Sequence, residues 1–178
     1  MTTPALSLAA FGESLDNTTR PDLFDRPTLD VEAQALCALL WSTPETAKTV
    51  VAHLAVDDFY QPVYGELYAV IARLVDTGKP HSAPLTLAVL EQTGRAHGKL
   101  SAAVLNVTLA DARGHDAAHL AYAVMAQSYR RGYTVASTRL AQLAEEADTD
   151  ELYEEMCVLG RERRTAHARL VAAGGDLS

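Results

Sequence analysis

DDFYQPVYGELYAVIARLVDTGKP, residues 57–80, is the stretch on which the fold reading turns. Asp57 or Asp58 caps a short turn carrying Phe59 and Tyr60. Pro62 stands where a helix begins, because the first helical residue has no use for its N–H. Apolar side chains then recur at Val63, Leu67, Val70, Ile71, Leu74 and Val75, the period of a helix with one buried face. Gly78 offers a left-handed stop and Pro80 forbids continuation.

The segments on either side repeat the pattern. Upstream, DVEAQALCALLW (30–41) has Asp30 as N-cap, Glu32 in the first turn, and an apolar face of Val31, Ala35, Leu36, Leu39 and Leu40. A second helix opens at Thr43 and Pro44, pointing Val50, Val51 and Leu54 inward. Downstream, one short helix is expected over about 84–92, closed at Gly94, and another over 101–112. A long one follows from about Asp116 to Glu146. It contains Gly132, which costs about 1 kcal/mol in a helix interior and would mark a bend. The last helix starts near Thr149 or Asp150. Its acidic first half (Glu151, Glu154, Glu155) and basic second half (Arg161, Arg163, Arg164, Arg169) complement the helix dipole. These two long helices read as an antiparallel hairpin.

Composition agrees. Of 178 residues, 31 are Ala and 24 are Leu, while aromatics make up only 6%, so an all-β fold is excluded by propensity. The expectation is an all-α, compact multi-helix domain with a C-terminal helical hairpin. It divides into a flexible tail over 1–29, a body over 30–147, a helix over 148–170 completing the hairpin, and a frayed tail over 171–178. Within the first tail, Leu6, Leu8, Phe11 and Leu15 could form one short amphipathic turn.

The net charge of −8 argues against strong direct DNA binding, which needs a basic excess. Residues 1–30 carry 2 basic and 5 acidic side chains. The N-terminus lacks the basic region and long apolar core of a signal peptide, and no apolar run reaches the roughly 18 residues of a membrane span. The chain reads as cytoplasmic and free of membranes. Cys37 and Cys157 then read as small buried apolar residues.

Constellations for chemistry are thin. Gly78-Lys79 and Gly98-Lys99 are followed by Pro80 and Leu100, where a phosphate loop needs Ser or Thr. His115 and His119 share a helix face, but a zinc site needs a further ligand. No nucleophile elbow is present. No catalytic, cofactor-binding or metal-ligating residue is assigned, and no cofactor. The unusual feature is apolar and aromatic surface on the hairpin. Tyr129, Arg130, Arg131, Tyr133, Leu152, Met156 and Leu159 are the candidate interface, being of the types found at protein contacts and on a hairpin with two flanks. Ordinary core packing is the competing reading.

Residues 57–80 resemble the N-terminal collar domain of replicative DnaB-type helicases, which carries a similar D-F-Y-x-P segment, here Asp58, Phe59, Tyr60 and Pro62. The string 30–41 is similar to that family's E-A-E-x-x-x-L-x-x-L-L helix, Leu85-Thr86-Leu87 to its V-T-L, and AYAVMAQSYRRGY (121–133) to its Y-A-x-I-V-x-E-x-A-x-R-R-x-L. KLSAAVL replaces a Gly-Gly-x-x-Tyr-Leu segment, GHDAA a Pro-Ser-Ala-Ala-Asn turn, and Tyr64 a common histidine. The ATPase motor is not among these residues. The resemblance implies a non-enzymatic module of DNA replication, a primosome component that forms dimers or higher homo-oligomers through its hairpin. Replicative helicase, helicase loader and primase are the implied partners. The alternative is a regulatory module of the same fold that has lost those partners.

Overall fold

The computed structural model describes residues 30–95 and 98–177; the tail assigned to 1–29, and His97, lie outside them. The described residues are all-α and contain no strand. The helices are α1 (Val31–Leu40), α2 (Pro44–His53), α3 (Pro62–Asp76), α4 (Ala83–Gln92), α5 (Lys99–Thr108), α6 (Ala117–Glu146) and α7 (Thr149–Asp176). Short 3-10 turns at Val56–Asp58 and Gly114–Asp116 lead into α3 and α6. Among the described residues no helix is long and apolar enough to cross a membrane.

Local chemistry sets the boundaries. The Asp30 carboxylate accepts from the Glu32 N–H at 2.9 Å, and the Thr43 hydroxyl from the Thr46 N–H at 3.3 Å, each satisfying an orphan donor of a first turn. Gly78 closes α3 at φ +68°, and the Lys79 N–H returns to the Leu74 carbonyl at 2.8 Å. Gly94 ends α4 in the same way. Both stops need a left-handed residue, which glycine supplies without a steric penalty.

α1 is the centre of the molecule, packed against α6, α5 and α3. The sequence assigns it one apolar face, yet Ala33, Ala35, Leu36, Cys37, Ala38, Leu39 and Leu40 are all buried. The alanines let neighbouring helices approach from every side, so the stripe becomes a full cylinder. Cys37 is buried and unpaired, its Sγ 3.7 Å from the Ala112 carbonyl. Cys157 on α7 is also free and only half-buried.

α6 spans about 45 Å. Its first turns bury Ala117, Ala121, Val124 and Met125 in the body; beyond them only Ala136 is buried. The outer half therefore leaves the body and meets α7 instead. The helix runs unbroken through Gly132. A side chain at Gly132 would collide with the Arg163 guanidinium, so this glycine opens a seat for an arginine of α7.

The end of the chain also departs from expectation. The sequence reading places a frayed tail at 171–178, but α7 continues to Asp176 and buries Ala173 and Leu177 in the core. Burying a leucine stabilises by about 1.5–3 kcal/mol, enough to offset the helix cost of Gly174 and Gly175. The His53 Nε2 and the Asp176 carboxylate, 2.8 Å apart, close the same contact.

Candidate interaction surface on the helical hairpin

The hairpin is fixed to the body by a buried polar cluster built on the 57–62 segment. Asp58 is 2% exposed. Its carboxylate accepts from the Ala55 N–H at 2.8 Å and from the Arg169 guanidinium of α7. Arg131 of α6 donates to the Asp58 carbonyl and lies 3.6 Å from the Glu32 carboxylate. Buried Glu32 accepts from the Tyr60 and Gln61 N–H groups at 2.6 and 3.2 Å. Gln61 reaches on to Asp30 at 3.0 Å. Four segments that are remote in sequence are thus joined by charge-assisted bonds that satisfy two buried carboxylates.

Burial pushes the Glu32 carboxyl up, against the lowering effect of its two N–H donors and Arg131. Asp30 is raised too, burial again outweighing its hydrogen bonds. The motif residues act alongside. The Phe59 ring stacks 5.3 Å from Tyr68, and the Tyr68 hydroxyl donates to the Leu54 carbonyl at 2.8 Å. Tyr60 is exposed, with the Arg131 guanidinium 5.6 Å from its ring centre, a cation–π distance. Pro62 opens α3.

Beyond this anchor the hairpin carries an open groove of about 610 Å³ between α6 and α7. Tyr129, Tyr133 and Leu140 line it from α6, Met156 and Leu159 from α7, with Arg163, Arg164 and His167 along its edge. The Tyr129 and Tyr133 hydroxyls are 2.9 Å apart and their rings meet edge to face at 5.1 Å. The His167 ring sits 5.9 Å from Tyr129. The bond to Tyr133 raises the Tyr129 phenol. Arg139 and Glu155 pair across the hairpin at 3.0 Å.

The candidate residues divide. Tyr129, Tyr133, Met156 and Leu159 share the groove; Tyr133 and Met156 are about half exposed, at 48% and 50%, whereas Leu159 is buried at its floor. Leu152 is half-buried one turn nearer the hairpin tip, and Arg130 is exposed outside the groove. Arg131 turns inward to Asp58 and Glu32. Sequence reasoning missed Glu32 and Arg169 as partners, reading both as helix-dipole residues. The available signal was a carboxylate set in an otherwise apolar run. His115 and His119 are exposed, His115 lying 3.4 Å from Asp116, and no metal-binding cluster occurs among the described residues.

This arrangement of five short helices and a projecting pair has a counterpart among known proteins. Residues 26–128 match the model of the DnaB-like helicase N-terminal domain, well over half of the chain. The chain belongs to the DnaB-like helicase N-terminal domain family. The crystal structure of the N-terminal domain of DnaB helicase from Mycobacterium tuberculosis superposes with a TM-score of 0.63 at 23% identity, covering 74% of this chain and 94% of that one. No curated protein matches in sequence.

The match is to the non-motor domain of a replicative helicase family, which ties the chain to DNA replication. Where its sequence departs from the family pattern, the fold is kept. KLSAAVL opens α5, and in GHDAA the first three residues form the 3-10 turn while the two alanines begin α6. Tyr64, at the common histidine position, is buried with its phenol pushed up to about 12 by desolvation.

Proposed function

We propose that this chain is a non-catalytic collar-like module of DNA replication that self-associates through the α6–α7 hairpin and binds a replicative helicase, its loader or primase. Residues 30–147 make the body in this reading, and the helix from 148 onward completes the hairpin. Membership of the helicase N-terminal family supports the replication role. One observation carries the association surface. Tyr133 and Met156 stand half exposed on opposite helices of a hairpin that has left the body, beside Tyr129. Tyr and Met with flanking Arg are enriched at protein contacts, and central aromatics supply most of the binding energy.

Pull-down with the full chain as bait tests the partner claim. Recovery of helicase, loader or primase, reduced at least tenfold by Tyr133→Asp with Met156→Asp, is the expected result. Equal recovery by the double variant would refute the hairpin as the docking face. An ATPase assay at background is the matching expectation for a module without catalysis.

A further inference from the structure

The groove on the hairpin holds cations with nothing to answer them. Arg163 lies across Gly132 with its Nε buried and unpartnered. Arg163 and Arg164 make no ion pair among the described residues, although Asp58, Glu32 and Glu155 each find one. A guanidinium beside Tyr129, Tyr133 and Met156 fits a ligand that is both apolar and anionic.

A segment of that chemistry lies in the same chain. Residues 6–16, outside the described residues, carry Leu6, Leu8, Phe11 and Leu15 together with Glu13 and Asp16. Chain length permits contact. The described chain begins at Asp30, whose carboxylate is bonded to Gln61 next to Tyr60. Tyr60 lines a cavity of about 510 Å³ with Arg131, Tyr129 and Arg163, and Tyr129 and Arg163 also line the hairpin groove. The two cavities thus meet at Tyr129 and Arg163, and the first of them lies beside the start of the described chain. Fourteen residues separate Leu15 from Asp30, and the fifteen steps between them reach about 50 Å when extended. Arg131 to Leu140 along α6 is only about 14 Å.

Two other cavities fit this segment less well. The one beside Lys99 and Leu100 offers a single lysine, where the hairpin groove offers two arginines. The one at Trp41 has Lys48 and Lys79 but lies at the far end of α1 from Asp30 and shares no lining residue with the cavity beside Tyr60.

We propose that residues 6–16 dock in the hairpin groove of their own chain, Leu8 and Phe11 against Tyr133 and Met156, and Glu13 and Asp16 facing Arg163 and Arg164. The N-terminal segment thereby competes with self-association. This competitive role rests on the hairpin being the association surface.

The test uses the full chain with a nitroxide on Ala10→Cys in a Cys157→Ser background, at a concentration where light scattering reports monomer. Relaxation of the backbone amides is then read by NMR. The expected result is selective broadening at Tyr133, Met156 and Gly160, with Leu87 on α4 unaffected. Leu8→Ser with Phe11→Ser should remove the broadening and tighten self-association at least fivefold. Broadening centred on Trp41, or none at the hairpin, overturns the docking. So does broadening that appears only when labelled chains are mixed with separate isotope-enriched ones, because the segment then occupies a second copy. Hairpin broadening with no dimer at any concentration in either protein keeps the docking and refutes the association surface instead.

Discussion

Leu36 on α1 and Met156 on α7 are both large apolar side chains on helices, yet Leu36 is fully buried and Met156 is 50% exposed. The body spends its apolar residues on itself. Its central helix is wrapped on all sides, and the helices around it are stopped sharply by Gly78 and Gly94. The outer hairpin has one partner helix for each helix, so roughly half of each surface stays open. It is joined to the body by polar groups near Asp58 and by Ala173 and Leu177 at the end of α7. The body thus answers to packing, the hairpin to anchoring and to what covers it.

Substitutions should separate the two regions. Leu36→Ala, at a fully enclosed site, is expected to lower unfolding free energy by about 3 kcal/mol, read as a fall in the urea midpoint. The same change at exposed Leu140 should stay within about 0.5 kcal/mol. An equal loss at both would erase the distinction.

Arg169→Ala leaves the buried Asp58 carboxylate without its guanidinium partner. The expected cost is about 2 kcal/mol, reduced from that of a fully buried pair because Arg169 itself is partly exposed. Amide exchange should accelerate first in residues 165–177. Uniform acceleration through α1 instead would mean that anchor and core are one unit.

Glu32 gives a pH signature. Its carboxyl is raised in the folded state, chiefly by burial, so the folded form holds the proton more tightly than the unfolded form does. The associated stability is fully present below the ordinary glutamate range and is lost as pH rises through the raised value. This opposes the usual carboxylate trend. Glu32→Gln should remove that component, read as a change in how the urea midpoint varies between pH 4 and 7. An unchanged pH profile in the variant would contradict it.

Gly132→Ala should have the smallest effect on stability. The gain in helix propensity, about 1 kcal/mol, is offset by displacement of the flexible end of Arg163. A net change below about 1 kcal/mol is expected, with altered Tyr129 and Tyr133 ring shifts marking the moved guanidinium.

Helix starts and stops were legible because they are local. Asp30, Thr43, Pro62, Gly78 and Gly94 each act through bonds within a few residues. The family resemblance was legible because four such local segments, 30–41, 57–80, 85–87 and 121–133, stand in register. What lay hidden was long-range. The Asp58–Arg169 pair joins residues 111 apart, and no spacing rule connects them. Leu177 looked like the end of a polar tail, and only the return of a 28-residue helix to the body buries it. Of the interface candidates, Tyr129, Tyr133, Met156 and Leu159 fall together because the 3.6-residue period aligns them on each helix. Arg131 sits on the same helix but is claimed by the buried Glu32 carboxylate and the Asp58 carbonyl.

The central claim, that the outer hairpin is an association surface, is tested most directly by sedimentation equilibrium of the full chain beside Tyr133→Asp with Met156→Asp. The account predicts a concentration-dependent dimer or larger oligomer for the native chain. In the variant, association should weaken at least tenfold, about 1.4 kcal/mol, with helical circular dichroism unchanged. A native chain that stays monomeric throughout, or a variant that associates equally well, would contradict it.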